Sequence, residues 1–318
     1  MQFFKKPSID FIGNRKFGYM FSGTLIFITL VLLIVRGPNY GIDFRGGVSV
    51  RVKFDNTVTV KMIRNSLQKI GYGNAEIKET SRKTVGGIEK EMIIQVELTR
   101  KPDVIASKVT EQLKKDFSKG LDIRSIDTVG PKIGGELRRA AIWAVLFSML
   151  LILVYITLRF EFRFAVGAII PLFHDVLITL GFFLIFNLQI SLDVVAAFLT
   201  IVGYSLNDTI VVFDRIRENM RTRRRESFSQ IINESINETL SRTVITSFTT
   251  FLVILVLFLF GGEVIHDFSF AMLVGVVIGT YSSIFVAAPL LIEWEHYSPR
   301  HKKMAEVRAR KAHKPKRR

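Results

Sequence analysis

Six runs of this chain are nearly free of charge over the length that carries a helix through lipid: residues 19–35, 140–158, 164–186, 194–213, 243–260 and 268–292. A helix needs about 20 mostly apolar residues, each rising 1.5 Å, to cross a hydrocarbon layer about 30 Å thick. With 49% hydrophobic residues and 27 Phe among 318 residues, the chain is too oily for an ordinary soluble globule. The pattern specifies a multi-pass α-helical membrane protein with six transmembrane helices. The first run is followed by no small-residue cleavage site, so it is expected to be an uncleaved span rather than a secretory signal. Only RFEFR (159–163) separates the second and third runs, and only NLQISLD (187–193) the third and fourth, which makes these neighbours tight antiparallel hairpins.

Six spans put both termini on one side, and the charges say which. The chain carries 44 Lys plus Arg against 28 Asp plus Glu. Basic residues near span ends stay cytoplasmic. They sit at Lys5, Lys6, Arg15 and Lys16, at Arg159 and Arg163, at Arg215, Arg217, Arg221, Arg223, Arg224 and Arg225, and densely in the tail. Loops 187–193 and 261–267 hold no Lys or Arg. The expectation is a cell (inner) membrane protein with cytoplasmic termini. Topology then accounts for the basic excess, and no specific nucleic-acid partner is needed; the tail is suited to acidic membrane lipids. The absence of cysteine excludes disulfides and thiolate metal sites.

The expected organisation is a cytoplasmic segment (1–18), a first transmembrane helix (19–35), an external, periplasmic domain (36–139), helices two to six (140–292) and a basic cytoplasmic tail (293–318). Within the domain, GVSVRVKF (47–54) alternates like a half-buried strand, and 60–71 places Met62, Ile63, Leu67 and Ile70 at helical spacing. Strands over 75–85 and 91–99 flank the turn signal Gly86–Gly87. A helix follows over 103–117 and a strand over 121–130. This order is that of an α+β ferredoxin-like domain. It contains no nucleophile beside a His, no cluster of metal-ligand spacing and no phosphate loop, so no enzymatic activity and no cofactor are expected. GIDFRGG (41–47), with Gly41, Asp43, Gly46 and Gly47, lacks the Lys and Ser/Thr of a P-loop and precedes a strand; it is read as a turn from membrane to sheet.

Ionisable side chains in hydrocarbon cost about 2.5–3.5 kcal/mol on insertion scales and usually mark pathways. Asp208 stands about six residues from the cytoplasmic end of the fourth run, roughly 9 Å deep at 1.5 Å per residue. Ser205 shares its helical face at i−3, with Asn207 on an adjacent polar stripe. Asp175, beside His174, lies near the middle of the third run, just after Pro171. Arg242 stands at the cytoplasmic mouth of the fifth, at a depth matching Asp208. Burial favours the neutral form of a carboxyl and a nearby guanidinium the charged one, so an Arg242 that moves relative to Asp208 makes a proton switch. Static alternatives are a satisfied interhelical contact for Asp208, snorkelling for Arg242, and a hydrogen bond within a kinked helix for His174 and Asp175. Asp214 and Arg215 fall at the membrane exit, where a solvated ion pair is expected.

GIDFRGG after the first span, PLFHD (171–175) in the third and VGYSLNDTIVVFDRIREN (202–219) leaving the fourth resemble the SecD/SecF family of bacterial translocase subunits, on its SecF branch. The resemblance runs from about residue 11 to 294 and leaves the tail unexplained. It implies a half-transporter of the resistance-nodulation-division superfamily that pairs with SecD. That pair would use the proton-motive force, not ATP, to help a translocating preprotein leave the SecYEG channel, with SecA and YidC-like factors as further candidate partners. Carried over by position, Asp208 is the proton-responsive carboxyl and Arg242 its partner. A proton-coupled half-transporter of small molecules is the competing reading, against which the small external domain argues; an assembly factor without ion coupling is the third.

Overall fold

The computed structural model describes residues 7–54, 58–84, 87–98, 101–117, 120–223 and 225–297. In chain order its elements are α1 (Arg15–Val35), α2 (Ile42–Arg45), β1 (Gly47–Lys53), α3 (Val60–Gln68), β2 (Glu76–Thr84), β3 (Gly87–Glu97), α4 (Pro102–Asp116), β4 (Asp122–Val129), α5 (Pro131–Arg159), α6 (Phe162–Phe186), α7 (Leu192–Thr222) and α8 (Phe228–Phe260). The last span begins as α9 (Glu263–Ser282), passes through a π turn (Ser283–Ala287) and ends as α10 (Ala288–Tyr297). Lys5, Lys6, Val85, Gly86, Thr99, Arg224 and the tail from 298 onward, all used in the sequence reading, lie outside the described residues.

All six apolar runs are helices long and oily enough to span a membrane. Several extend into polar flanks, because backbone hydrogen bonding continues wherever a cap permits it. Thus α8 starts well before residue 243, at a capping box in which Ser227 accepts from the Gln230 backbone and the Gln230 side chain reaches back to Ser227. The left-handed Asn187, at φ 55°, ends α6.

Helices α6, α7 and α9 form the enclosed centre of the bundle, and α1, α5 and α8 are peripheral. Phe164, Leu172, Phe213, Ile216 and Leu291 fill one half of its core; Phe183, Phe198, Ile201, Met272 and Val276 fill the other. The outer helices leave Phe17, Ile34, Leu151, Leu158, Val253 and Phe260 exposed. Apolar faces of that extent suit lipid and not water, which makes the chain a membrane protein.

Between α1 and α5 the six predicted elements occur in the predicted order. The sheet runs β2-β3-β1-β4 with every pairing antiparallel, the ferredoxin-like arrangement. Val48, Val50 and Val52 alternate to one face, opposite Val96, Ile94 and Met92. Ile63 and Leu67 of α3 and Ile105, Val109 and Leu113 of α4 cover that face and are buried with it.

GIDFRGG does more than turn the chain. Residues 42–45 form α2, closed by Gly46 at φ 86°, where a side chain would be strained. A Cβ on Gly47 would lie 2.7 Å from Ile42 Cβ, so only glycine lets α2 fold against β1. Gly41 N donates to Ile190 O at 2.9 Å, Ile190 N donates to Asn39 O at 2.8 Å, and Leu192 N donates to Asp43 Oδ2 at 3.0 Å. The motif therefore clasps the α6–α7 hairpin and supplies the acceptor for the first turn of α7.

A second tie joins β2 to the start of α9: Lys78 Nζ lies 3.3 Å from both Glu76 Oε1 and Asp267 Oδ2. Burial pushes the Glu76 carboxyl above its ordinary range, and the Lys78 ammonium opposes that shift. Burial also works against the charge on Lys78, yet the two carboxylates outweigh it and raise its pKa. The Lys78 contribution is thus complete at neutral pH and is lost only as pH rises past its raised value. Lys78→Met leaves two neighbouring carboxylates without their cation, and is expected to weaken domain docking by about 1–3 kcal/mol. Faster proteolysis between β4 and α5 in membranes is the readout; unchanged cleavage would show the tie to be idle.

Candidate functional site

Two buried carboxyl groups lie in the centre of the bundle, and they are served very differently. Asp175 on α6 is fully buried, with 0% exposure. Ser205 Oγ on α7 donates to its Oδ2 at 2.5 Å, and Ser282 Oγ on α9 to the same oxygen at 2.8 Å. His174 Nδ1 is 2.8 Å from Asp175 Oδ1. The network continues outward: His174 Nε2 lies 2.9 Å from Ser22 Oγ on α1, Ser22 Oγ lies 3.0 Å from the Tyr281 hydroxyl, and that hydroxyl donates to Gly18 O at 2.6 Å. The imidazole stacks on Tyr281 at 6.3 Å between centroids. One polar chain thus ties α1, α6, α7 and α9, and both oxygens of Asp175 are satisfied.

Asp208 on α7 is 3% exposed, and one hydroxyl donates to it: Ser247 Oγ of α8 to Oδ2, at 3.1 Å. Ser247 in turn accepts from Thr280 Oγ1 of α9 at 2.8 Å. Arg242 is near enough to act on Asp208 electrostatically, yet no ion pair closes between them. Arg242 and Asn207 are both exposed on the bundle surface. The hydroxyls of Thr209 and Thr243 are buried and have no hydrogen-bond partner among the described residues.

Three expectations need correction. Ser205 belongs to Asp175 and not to Asp208, because three residues advance a helix by about 300° and the remaining offset of about 60° turns Ser205 toward α6 and α9. Asn207 faces outward and contributes nothing to the buried centre. Asp214 and Arg215 do not pair: Arg215 reaches Glu238 Oε2 at 2.5 Å and Glu218 Oε2 at 2.7 Å, and Asp214 is exposed. Arg223 also pairs with Glu238 and Glu234, so the ends of α7 and α8 are locked by a carboxylate–guanidinium network. Nearby, Asn233 and Asn237 of α8 grip the backbone of residues 9–12.

Ser22, Thr280, Tyr281 and Ser282 join the buried network without having been expected there. The signal was present: TYSS (280–283) is a polar run inside the last apolar stretch. Among the described residues no group of three His, Asp or Glu is placed to hold a metal.

Residues 108–297 match the family model for the protein export membrane protein SecD/SecF, C-terminal, and residues 31–58 match the SecD/SecF GG motif. The chain is 44% identical over 315 residues to the protein translocase subunit SecF of Rhodothermus marinus, covering 97% of this chain and 100% of that protein. It is 43% identical over 281 residues to the SecF subunit of Haemophilus influenzae, covering 88% and 84%. The crystal structure of SecDF, a translocon-associated membrane protein from Thermus thermophilus, superposes with a TM-score of 0.75 at 37% identity, covering 91% of this chain and 39% of that one. A SecDF structure in a super-membrane-facing form gives a TM-score of 0.71 at 36% identity, over 95% of this chain. The present chain spans 40% of that SecDF chain.

Proposed function

This chain belongs to the SecD/SecF family of protein export membrane proteins, and from that premise we propose that it works as the SecF-type half of a proton-driven export motor. It pairs with SecD in the inner membrane, with both termini in the cytoplasm and the ferredoxin-like domain outside. The pair uses the proton-motive force in late steps of preprotein release from the SecYEG channel.

The observation that carries the reading is the contrast between the two buried carboxyls. Asp175 has a full set of donors and is built to stay as it is. Asp208, with a single hydroxyl donor and a guanidinium that does not touch it, is the group whose charge is least compensated, and the neutral acid asks for fewer donors. Moving one elementary charge through 100 mV is worth about 2.3 kcal/mol, comparable with the cost of burying one charge. A proton at Asp208 is therefore an adequate driving event, and Arg242, free of a direct pair, is available to answer it.

Exposure of Asn207 and Arg242 on a lipid-facing bundle supports the pairing, since polar groups in a membrane turn toward protein or water. In membranes, a tagged chain is expected to bring SecD with it at near-equal amounts, and its depletion to reduce export driven by an imposed proton gradient. Purification without SecD, together with unchanged gradient-driven export after depletion, would overturn the reading.

A further inference from the structure

Three consecutive residues of α9, Thr280, Tyr281 and Ser282, enter three different polar contacts. Thr280 meets Ser247, the partner of Asp208; Tyr281 meets Ser22, the partner of His174; Ser282 meets Asp175. Three successive positions span about 200° of a helix, so α9 cannot turn or slide without disturbing all three contacts. Packing against α7 is equally close: a Cβ on Gly279 would lie 3.0 Å from Ser205 Cβ.

Each of the two α9 hydroxyls also has a choice of acceptor. Thr280 Oγ1 is 2.8 Å from Ser247 Oγ and 2.7 Å from Val276 O; Ser282 Oγ is 2.8 Å from Asp175 Oδ2 and 3.1 Å from Gly279 O. A hydroxyl has one proton to give. When Asp208 is ionised, Ser247 donates to the carboxylate and Thr280 donates to Ser247. When Asp208 carries a proton, its O–H donates to Ser247, the Ser247 proton turns to Thr280, and Thr280 donates back to Val276 O. The chain reverses direction by rotation of two hydroxyls; only the proton on Asp208 has been added. Such back-bonding to a helical carbonyl bends helices, and α9 passes directly into the π turn, the kind of irregular segment that accommodates a shift.

We propose that Thr280 is a positioning residue through which α9 senses the charge state of Asp208 and conveys it, by way of Tyr281 and Ser282, to the His174–Asp175 network. The inference rests on the proton-coupling reading of Asp208 given above. In the inner stretches of the helices packed around Asp208 the titratable groups are Arg242 on α8, His174 and Asp175 on α6 and Tyr281 on α9, with Tyr204 on α7 itself; Tyr155 of α5 is exposed, and Arg163, Glu234, Glu238, Glu263, His266 and Asp267 lie toward helix ends.

The chain has no cysteine, so a reporter pair is clean. Gly18→Cys on α1 and Phe285→Cys in the π turn suit the purpose, because a Cβ on Gly18 would lie 3.0 Å from Phe285 Cβ. The full chain is expressed with SecD, a fixed concentration of a copper–phenanthroline oxidant is added, and the rate of disulfide formation is followed in membranes at one fixed pH. Asp208→Asn imitates the protonated acid, since its amide donates to Ser247. It is expected to change the rate about fivefold, the effect of one hydrogen bond on a two-state population. Thr280→Val should remove that response, and Thr280→Ser should restore it. A response that persists in Thr280→Val, or none with Thr280 intact, overturns the inference, as does a reporter pair that never closes. Export assays separate the two claims. Export that ignores Asp208→Asn while the disulfide rate still responds through Thr280 defeats the motor reading and leaves the α9 contact standing, whereas lost export with an unchanged response in Thr280→Val defeats only the relay through α9.

Discussion

Asp208→Asn is expected to leave the chain inserted and bound to SecD while its stimulation of export by an imposed proton gradient falls to background. Asn keeps the size of the side chain and its contact with Ser247, 3.1 Å from Oδ2 in the parent, so the bundle has no reason to open. What is lost is the ability to take and release a proton. One charge moved through 100 mV carries about 2.3 kcal/mol, roughly fiftyfold in a two-state population, so the loss should be large and not graded. The measurement is translocation into inverted vesicles with and without the gradient, normalised to the amount of SecD recovered with the chain. Full stimulation in the variant would return Asp208 to the role of a static interhelical contact.

Asp175→Ala should act differently, on stability. It strips the acceptor from Ser205 and the partner from His174 Nδ1, and leaves Ser282 only its own helix's Gly279 O, all in a buried site. A buried polar group without its partner costs about 1–3 kcal/mol, and the cavity adds to that, so a total of about 3–5 kcal/mol is expected. The variant chain should accumulate poorly and unfold well below the parent in detergent. Asp175→Asn, which keeps the volume and one acceptor oxygen, should fall between the two. A parent-like unfolding temperature for Asp175→Ala would show that the network does not hold the bundle together.

The two residues differ in how far the sequence disclosed them. Apolar runs of membrane length and the alternation of Val48, Val50 and Val52 are strong periodic signals, which is why the spans and the ferredoxin-like order were legible. Helix ends were not, because a cap such as Ser227 carries α8 far into polar sequence. Depth along the membrane was legible only in part: Arg242 of α8 stands near Asp208, yet it is exposed on the bundle surface and closes no ion pair with it. Rotation about a helix axis was not. It is set by packing, and it puts Ser205 on Asp175 instead of Asp208 and turns Asn207 to the surface. The hydroxyl contacts of α9 were hidden for a related reason. A Thr or Ser in an oily helix can bond its own backbone, so TYSS by itself did not show that Thr280 and Ser282 reach across to two other helices. In GIDFRGG the need for glycine was legible, but the clasp that Asp43 makes on Leu192 depends on a contact 149 positions away.

The central claim, that Asp208 is the carboxyl that exchanges a proton with the gradient, is tested most directly by proton flux itself. Sealed vesicles holding the chain with SecD, and an enclosed pH-sensitive dye, are given a membrane potential. Measurable flux is predicted for the parent pair, and none above protein-free vesicles for Asp208→Asn inserted at the same level; equal flux from the two would contradict the account.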